Sequence, residues 1–333
     1  MDASGEAKGK APQDRLADWL AEDMAAVNRL IRDRMASRHA PRIPEVTAHL
    51  VEAGGKRLRP LLTLATARML GYDGQDHIKL AATVEFIHTA TLLHDDVVDE
   101  STLRRGRATA NAAFGNPASV LVGDFLYSRA FEMMVDAGDM RIMKTLAEAT
   151  NVIAEGEVLQ LMNMHDASLD EASYLQVIRS KTAKLFEAST RLAAVLAQSS
   201  PSIEQACADY GQALGTAYQL IDDVLDYAGD AQALGKNLGD DLREGKVTLP
   251  LITAMNRGTA HDKAVIRNAI ETGDLQALDQ ILDIVKRTGA LDVARATASA
   301  QAVLAVSAAA ALPTNEFSGA LLALANSLLD RTQ

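Results

Sequence analysis

The sequence predicts an all-α protein folded as one large helical bundle. Alanine and leucine dominate the 333 residues, and apolar positions recur at three- and four-residue spacing between Gly, Pro, Asp and Asn. Clusters of β-branched residues with period-two alternation and Asn-Gly hairpin signals are missing. A helix face explains the first pattern, and a sheet would require the second.

Residues 1–12, "MDASGEAKGKAP", are small and polar without an apolar core, so a disordered tail is expected there and a folded domain over 13–333. Leu16, Trp19, Leu20, Met24, Val27, Leu30 and Ile31 mark the first amphipathic helix, which Pro41 and Pro44 end. Further helices are expected near 44–53, 60–71, 76–99, 117–137, 139–164, 170–198, 202–228, 247–257, 262–272, 275–288, 290–310 and 314–331. No solenoid repeat and no linker divides the central helices, so a single bundle is predicted in preference to two domains.

A net charge of −11 argues against general nucleic-acid binding, which leaves a basic footprint. No apolar run is long enough to span a bilayer, and the lone Cys207 permits no internal disulfide. A cytoplasmic protein with Cys207 as a small buried apolar residue is expected. Any anionic ligand must be held locally, by a few cations or by metal.

The stretch "TLLHDDVVDESTLRRGR" (91–107) carries Asp95, Asp96 and Asp99 at the end of an apolar helix. Asp95 and Asp99 project from one face a turn apart and repel unless a cation joins them. The pattern returns as Asp222, Asp223 and Asp226 in "YQLIDDVLDY". A solvated acidic helix end is the plainer explanation of one copy. Two copies, both flanked by apolar sequence, point to paired carboxylates in a partly dry cleft, which take up protons or bind cations. All-oxygen ligands with no His–Cys set nearby favour Mg2+, a hard ion that completes its shell with water and substrate phosphates.

Basic residues flank both clusters. "GGKRLRP" (54–60) supplies Lys56, Arg57 and Arg59; Arg104 and Arg105 follow the first cluster; Lys181 and Thr182 lie in a long helix; "GKNLGDDLREGKVTLP" (235–250) brings Lys236, Asp240, Asp241 and Lys246 after the second. Any one of these is an ordinary surface charge. Together they suggest two anion pockets, one built on aspartate-held metal and one on direct Lys and Arg contacts. His88 lies two turns before Asp95, on roughly its face, whereas His94 points elsewhere and is expected to be structural.

These stretches, with "EFIHTATLLHDDVVDESTLRRG", "NAAFGNPASVLVGDFLYSRAF", "EGEVLQL" and "SKTAKLFEA", resemble in order and spacing the trans-isoprenyl diphosphate synthase (polyprenyl synthetase) family over nearly the whole chain, most closely its bacterial octaprenyl members. The resemblance implies an all-α bundle around a central cavity, usually a homodimer, with the acidic motifs facing each other. It implies about three Mg2+ per site, bridging an allylic diphosphate and held by Asp95, Asp99, Asp222 and Asp226, with Asp96, Asp223 and Lys181 joining these four as the catalytic residues. It further implies Arg104, Lys181, Thr182, Gln219 and Lys236 around that diphosphate, and Lys56, Arg59, His88 and Arg105 around isopentenyl diphosphate, with Arg57 and Lys246 beside them. The expected activity is addition of isopentenyl units to a starter such as farnesyl diphosphate, for quinone side chains. A class I terpene cyclase and a non-catalytic partner subunit are the alternatives; the repeated DDxxD and the retained basic set disfavour both.

Product length should depend on what lies below the first motif. Ala90 and Thr91 sit one turn deeper, where short-chain relatives carry bulky aromatics, so a tunnel is expected to stay open there. Phe131, Met134 and Leu146 are the candidate floor; ordinary core packing explains them equally well.

Overall fold

The computed structural model of the chain describes residues 11–52, 55–104, 106–228 and 238–330. It is an all-α bundle, as predicted. Ten residues of the expected tail lie outside the described residues, as do Arg105 and Lys236.

The N-terminal helices are α1 (Pro12–Trp19), α2 (Ala21–Met35), α3 (Arg42–Glu52) and α4 (Leu58–Met69). The expected first helix is broken at Leu20, where the backbone leaves helical geometry between α1 and α2. Its apolar stripe is nonetheless buried at Leu16, Leu20, Val27 and Ile31, whereas Trp19 is half-exposed and meets Phe317 edge-on with ring centroids 6.1 Å apart. Asp23 of α2 accepts two bonds of 2.8 Å from Arg68, locking α2 onto α4.

The long helix α5 (Asp76–Val98) carries the first acidic motif at its C-terminal end. Next come two-residue strands β1 (Leu103–Arg104) and β2 (Arg107–Ala108), antiparallel in the register Leu103↔Ala108 and Arg104↔Arg107. This hairpin was not expected; it turns at Gly106, whose φ of +74° suits a residue without Cβ. Helices α6 (Ala110–Phe114), α7 (Asn116–Asp136) and α8 (Met140–Asn163) follow.

The helix expected over 170–198 is interrupted. It divides into α9 (Glu171–Ile178), a π-turn over Arg179–Ala183, and α10 (Lys184–Leu196). The central α11 (Pro201–Ala228) follows, then α12 (Asp240–Arg243), α13 (Leu249–Arg257), α14 (Ala260–Thr272), a 3₁₀ turn at Leu275–Ala277, α15 (Leu278–Arg287), α16 (Ala290–Ala309) and α17 (Glu316–Asp330).

Two buried clusters meet along α11. Cys207, Tyr210, Leu214 and Ala217 join the core of α1–α8, α10 and α17, while Leu220, Ile221, Val224 and Tyr227 join the core of α9 and α13–α16. Cys207 is fully buried, as expected, and burial pushes its thiol up to about 12. The helix α16 also spans both clusters, through Ala290, Ala294 and Ala298 in one and Ala302, Ala305 and Ala309 in the other, and the acidic residues of α11 lie at the C-terminal end of a helix that the two cores share.

Candidate functional site

A cavity of about 490 Å3 opens where the ends of α5, α8, α9 and α11 converge with the segment carrying α12. Asp95, Asp99, Lys181, Thr182, Gln219, Asp222, Asp223, Arg104 and Lys246 all line it, so Asp95 and Lys246, 151 positions apart in sequence, share one hollow. Beside it lies a second cavity of about 420 Å3, lined by Lys56, Arg57, Arg59, Glu85 and Phe186. Arg59, His88, Leu92, Arg104 and Tyr218 line both.

The last turn of α5 divides its aspartates between two tasks. Asp95 and Asp99 line the first cavity. Asp96, between them, is 0% exposed and accepts from Arg104 Nε at 3.0 Å and Nη2 at 2.7 Å, both on Oδ1. Asn111 donates 3.0 Å to the Asp96 carbonyl. Expected as a reactive residue, Asp96 is absent from the cavity lining and holds Arg104, which does line it. Burial works against the Arg104 charge, but the Asp96 bonds and the Asp95 and Asp99 charges keep its pKa above the ordinary value.

The π-turn supplies the cation of the opposite wall. Lys181 and Thr182 lie within that turn and line the cavity. Gly156 of α8 makes room: a Cβ there would lie 2.7 Å from Ser180 Cβ and 2.9 Å from the Lys181 nitrogen. Lys181 Nζ lies 2.7 Å from Glu157 Oε2 and 3.5 Å from Asp95 Oδ2. Burial pushes the Glu157 carboxyl up to about 7, with Lys181 pulling it back and Asp95 adding to the rise. Burial likewise raises Asp95, again opposed by Lys181.

On α11, Asp222 lines the cavity and is exposed. Asp223 is 4% exposed and accepts from Tyr174 Oη at 2.5 Å and Gln219 Nε2 at 2.7 Å. Burial pushes its carboxyl up to about 8, with Asp241 adding to the rise. Asp226 sits at the end of the motif, where its carbonyl accepts from the Gly239 N–H at 3.1 Å and its Oδ2 from the Asp241 N–H at 3.4 Å. It fastens the α12 segment and is not among the cavity-lining residues, whereas Asp240 and Asp241 are.

Lys246 closes the ring. Its Nζ lies 2.7 Å from Asp99 Oδ2 and 2.6 Å from Glu244 Oε2. Burial works against this charge, but Asp99 and Glu244 outweigh it and raise its pKa.

The second cavity has a different character. Arg59 Nη1 lies 3.2 Å from His88 Nε2, and its guanidinium stacks 4.5 Å over the Phe186 ring. Burial lowers its pKa to about 10. Arg57, in left-handed conformation at φ 46°, pairs with Glu85 at 2.6 Å.

Ala90 is fully buried and Thr91 lines the first cavity. Met134 and Leu146 are buried in the same core cluster as Ala90. Phe131 is 41% exposed on the outer side of α7, so within this chain it does not form a buried floor. Glu157, Tyr174, Tyr218 and Glu244 were not singled out from sequence, although Glu157 lies in the quoted "EGEVLQL" and Glu244 in "DLREGK".

The donors suit a divalent cation: the carboxylates of Asp95, Asp99, Asp222, Asp240 and Asp241 offer only oxygen. Among the described residues no three His, Cys, Asp or Glu side chains are grouped so that they could hold a metal ion by themselves.

The polyprenyl synthetase family model matches residues 40–287. The octaprenyl diphosphate synthase of Haemophilus influenzae is 52% identical over 319 residues, covering 96% of this chain and 97% of that protein. The crystal structure of a decaprenyl diphosphate synthase from Rhodobacter capsulatus superposes with a TM-score of 0.92 at 53% identity, covering 97% of this chain and 100% of that one. A polyprenyl synthase from Caulobacter crescentus, crystallised with calcium and isoprenyl diphosphate, also gives 0.92, at 48% identity and coverage of 98% and 100%.

Proposed function

Because the chain belongs to the polyprenyl synthetase family and is a prenyltransferase of the trans-prenyl diphosphate synthase type, we propose that it is a long-chain synthase acting on farnesyl or a similar allylic diphosphate, with an octaprenyl product for quinone side chains. Residues 13–333 form the synthase unit in this proposal. The observation that carries it is the pair of adjoining cavities, one acidic with Lys181 and Lys246, one basic with Lys56, Arg59 and His88. Two diphosphates with separate holders, meeting at Arg59, His88 and Tyr218, suit elongation; a cyclase needs only one.

Arg104, Lys181, Thr182 and Gln219 bind the allylic diphosphate, and Lys246 joins them once it leaves Asp99. Lys56, Arg59 and His88 bind the diphosphate of isopentenyl diphosphate, with Arg57 fixed by Glu85 beside them. Divalent cations, Mg2+ by the chemistry of the donors and about three per site, would be held by Asp95, Asp99 and Asp222 with Asp241 close by, and supply electrostatic stabilisation of the departing diphosphate. The cationic side chains share that negative charge as the C1–O bond breaks. Leu92, Val177 and Ile178 on the cavity wall keep water from the allylic cation. The isopentenyl double bond then attacks C1, and a proton passes to the departing diphosphate. Arg105 and Lys236 keep the diphosphate-binding roles that the sequence suggested.

The small side chains at Ala90 and Thr91 support a long product, with Met134 and Leu146 below them as floor. Val120, Leu121, Phe131 and Val135 form an exposed apolar stripe along α7. Met140, Val158, Leu161 and Met162 are likewise exposed on α8. This stripe supports a homodimer, with Phe131 against the second copy. Among the described residues no helix is long and apolar enough to cross a membrane; a cytoplasmic enzyme is proposed. Incubating the purified chain alone with farnesyl diphosphate, isopentenyl diphosphate and Mg2+, followed by mass spectrometry of the dephosphorylated product, tests the proposal. An octaprenyl alcohol supports it. A cyclic hydrocarbon, or activity only with a second subunit, overturns it.

A further inference from the structure

We infer that Tyr174, a residue with no part in the mechanism above, is a positioning residue for the allylic diphosphate pocket, acting through Asp223 and Gln219 on Thr182. The inference rests on the proposed elongation activity.

Four side chains on the cavity wall form an unbroken hydrogen-bonded row, anchored at Tyr174 in the second core cluster. Tyr174 Oη donates to Asp223 Oδ2 at 2.5 Å; Gln219 Nε2 donates to Asp223 Oδ1 at 2.7 Å; Thr182 Oγ1 donates to Gln219 Oε1 at 2.9 Å. Tyr174 and Asp223 are 3% and 4% exposed, so water cannot replace either bond at low cost.

The row determines which way Gln219 faces. A glutamine amide can turn over and exchange its oxygen for its nitrogen, and a ligand facing the wrong end meets an acceptor where it needs a donor. With Asp223 in its ionised form, both oxygens accept, Oδ2 from Tyr174 and Oδ1 from Gln219, and this directs the Gln219 nitrogen toward it. The Gln219 oxygen is thereby left for Thr182, and one amide N–H is left for an anion in the cavity. Asp223 holds this orientation only while its other oxygen is occupied by Tyr174. Without that donor, the buried carboxylate is free to turn toward Asp222 and the cavity.

The row also joins two elements that must keep register. Tyr174 belongs to α9, which leads into the π-turn bearing Lys181 and Thr182, and Asp223 belongs to α11, beside Asp222. A single buried phenol therefore ties the cationic wall to the acidic one.

The test is steady-state kinetics of Tyr174→Phe, Gln219→Ala and the double variant, with melting temperatures and calorimetric binding of inorganic diphosphate. Loss of one bond to a buried carboxylate is expected to raise the allylic KM roughly tenfold while the isopentenyl KM stays within about twofold. In the Gln219→Ala background, Tyr174→Phe should add no further rise. An unchanged allylic KM, an equal rise in both KM values, or full additivity in the double variant overturns the inference. If Tyr174→Phe does not fold, Asp223→Asn must show the same KM split, and its absence has the same consequence. Should the wild-type chain elongate nothing, the proposed function fails first; weaker diphosphate binding by Tyr174→Phe would still support the positioning role, and equal binding would end it.

Discussion

Lys246 Nζ lies 2.7 Å from Asp99 Oδ2, joining the first acidic motif to a segment 147 residues further along the chain. In this state a protein ammonium neutralises one of the carboxylates proposed to bind metal. Lys246→Ala is therefore expected to tighten binding of Mg2+ or Mn2+ alone, measured by calorimetry without substrate. Turnover should fall roughly ten- to a hundredfold, because a charge-assisted contact to diphosphate is lost. Unchanged metal affinity would show that the contact does not compete with metal.

Glu157 should give the ligand-free chain a distinctive pH response. Folding raises its carboxyl from 4.5 to about 7, chiefly through burial. Between those values the folded chain holds more protons than the unfolded chain, so this residue's contribution to stability declines as pH rises. Below that window both states are protonated and the penalty vanishes. The melting temperature of Glu157→Gln relative to wild type should accordingly increase from about pH 5 to about pH 8. A constant difference would contradict the assignment. Asp223, raised from 3.8 to about 8, acts in the same direction.

Gly156→Ala tests the close approach that seats the π-turn. Its Cβ would press on Ser180 and on the Lys181 backbone. A stability loss of about 1–3 kcal/mol is expected from overpacking, together with a fall in kcat/KM larger than the drop in melting temperature explains. Wild-type kinetics would show that the turn tolerates displacement.

Ala90→Phe is expected to shorten the product, since a bulky ring would enter a fully buried position one turn below Asp95. Met134→Ala is expected to lengthen it. Chromatography of the prenyl alcohols reads both, and an unchanged product distribution in either variant removes that residue from the tunnel.

Leu121 and Val135 are 66% and 64% exposed on the outer face of α7. Replacing both with glutamate should convert a dimer to a monomer in light scattering after size exclusion. A monomeric wild type would contradict the proposed homodimer.

Much of the fold was legible because helix periodicity is local: the buried stripe Leu16–Leu20–Val27–Ile31 follows from spacing alone. The π-turn was not, since its single extra residue leaves the apolar pattern of 170–198 almost intact. It depends instead on Gly156 of another helix. In the candidate site, spacing placed Asp95 and Asp99 on one face. It could not show that Asp96 turns to Arg104, that Asp223 turns to Tyr174, or that Phe131 lies outside, because each depends on a partner or surface distant in sequence. Glu157 and Glu244 escaped notice because an acid near a lysine is commonplace until the cavity joins them.

The claim on which all of this rests is that the aspartates of α5 and α11 hold cations around one shared diphosphate. Anomalous diffraction from crystals grown with Mn2+ and a non-hydrolysable thio analogue of farnesyl diphosphate measures that directly. Manganese peaks against Asp95 and Asp99 on one wall and Asp222 on the other, with the diphosphate between them, are predicted. Peaks confined to one motif, or a diphosphate bound without metal, would contradict it.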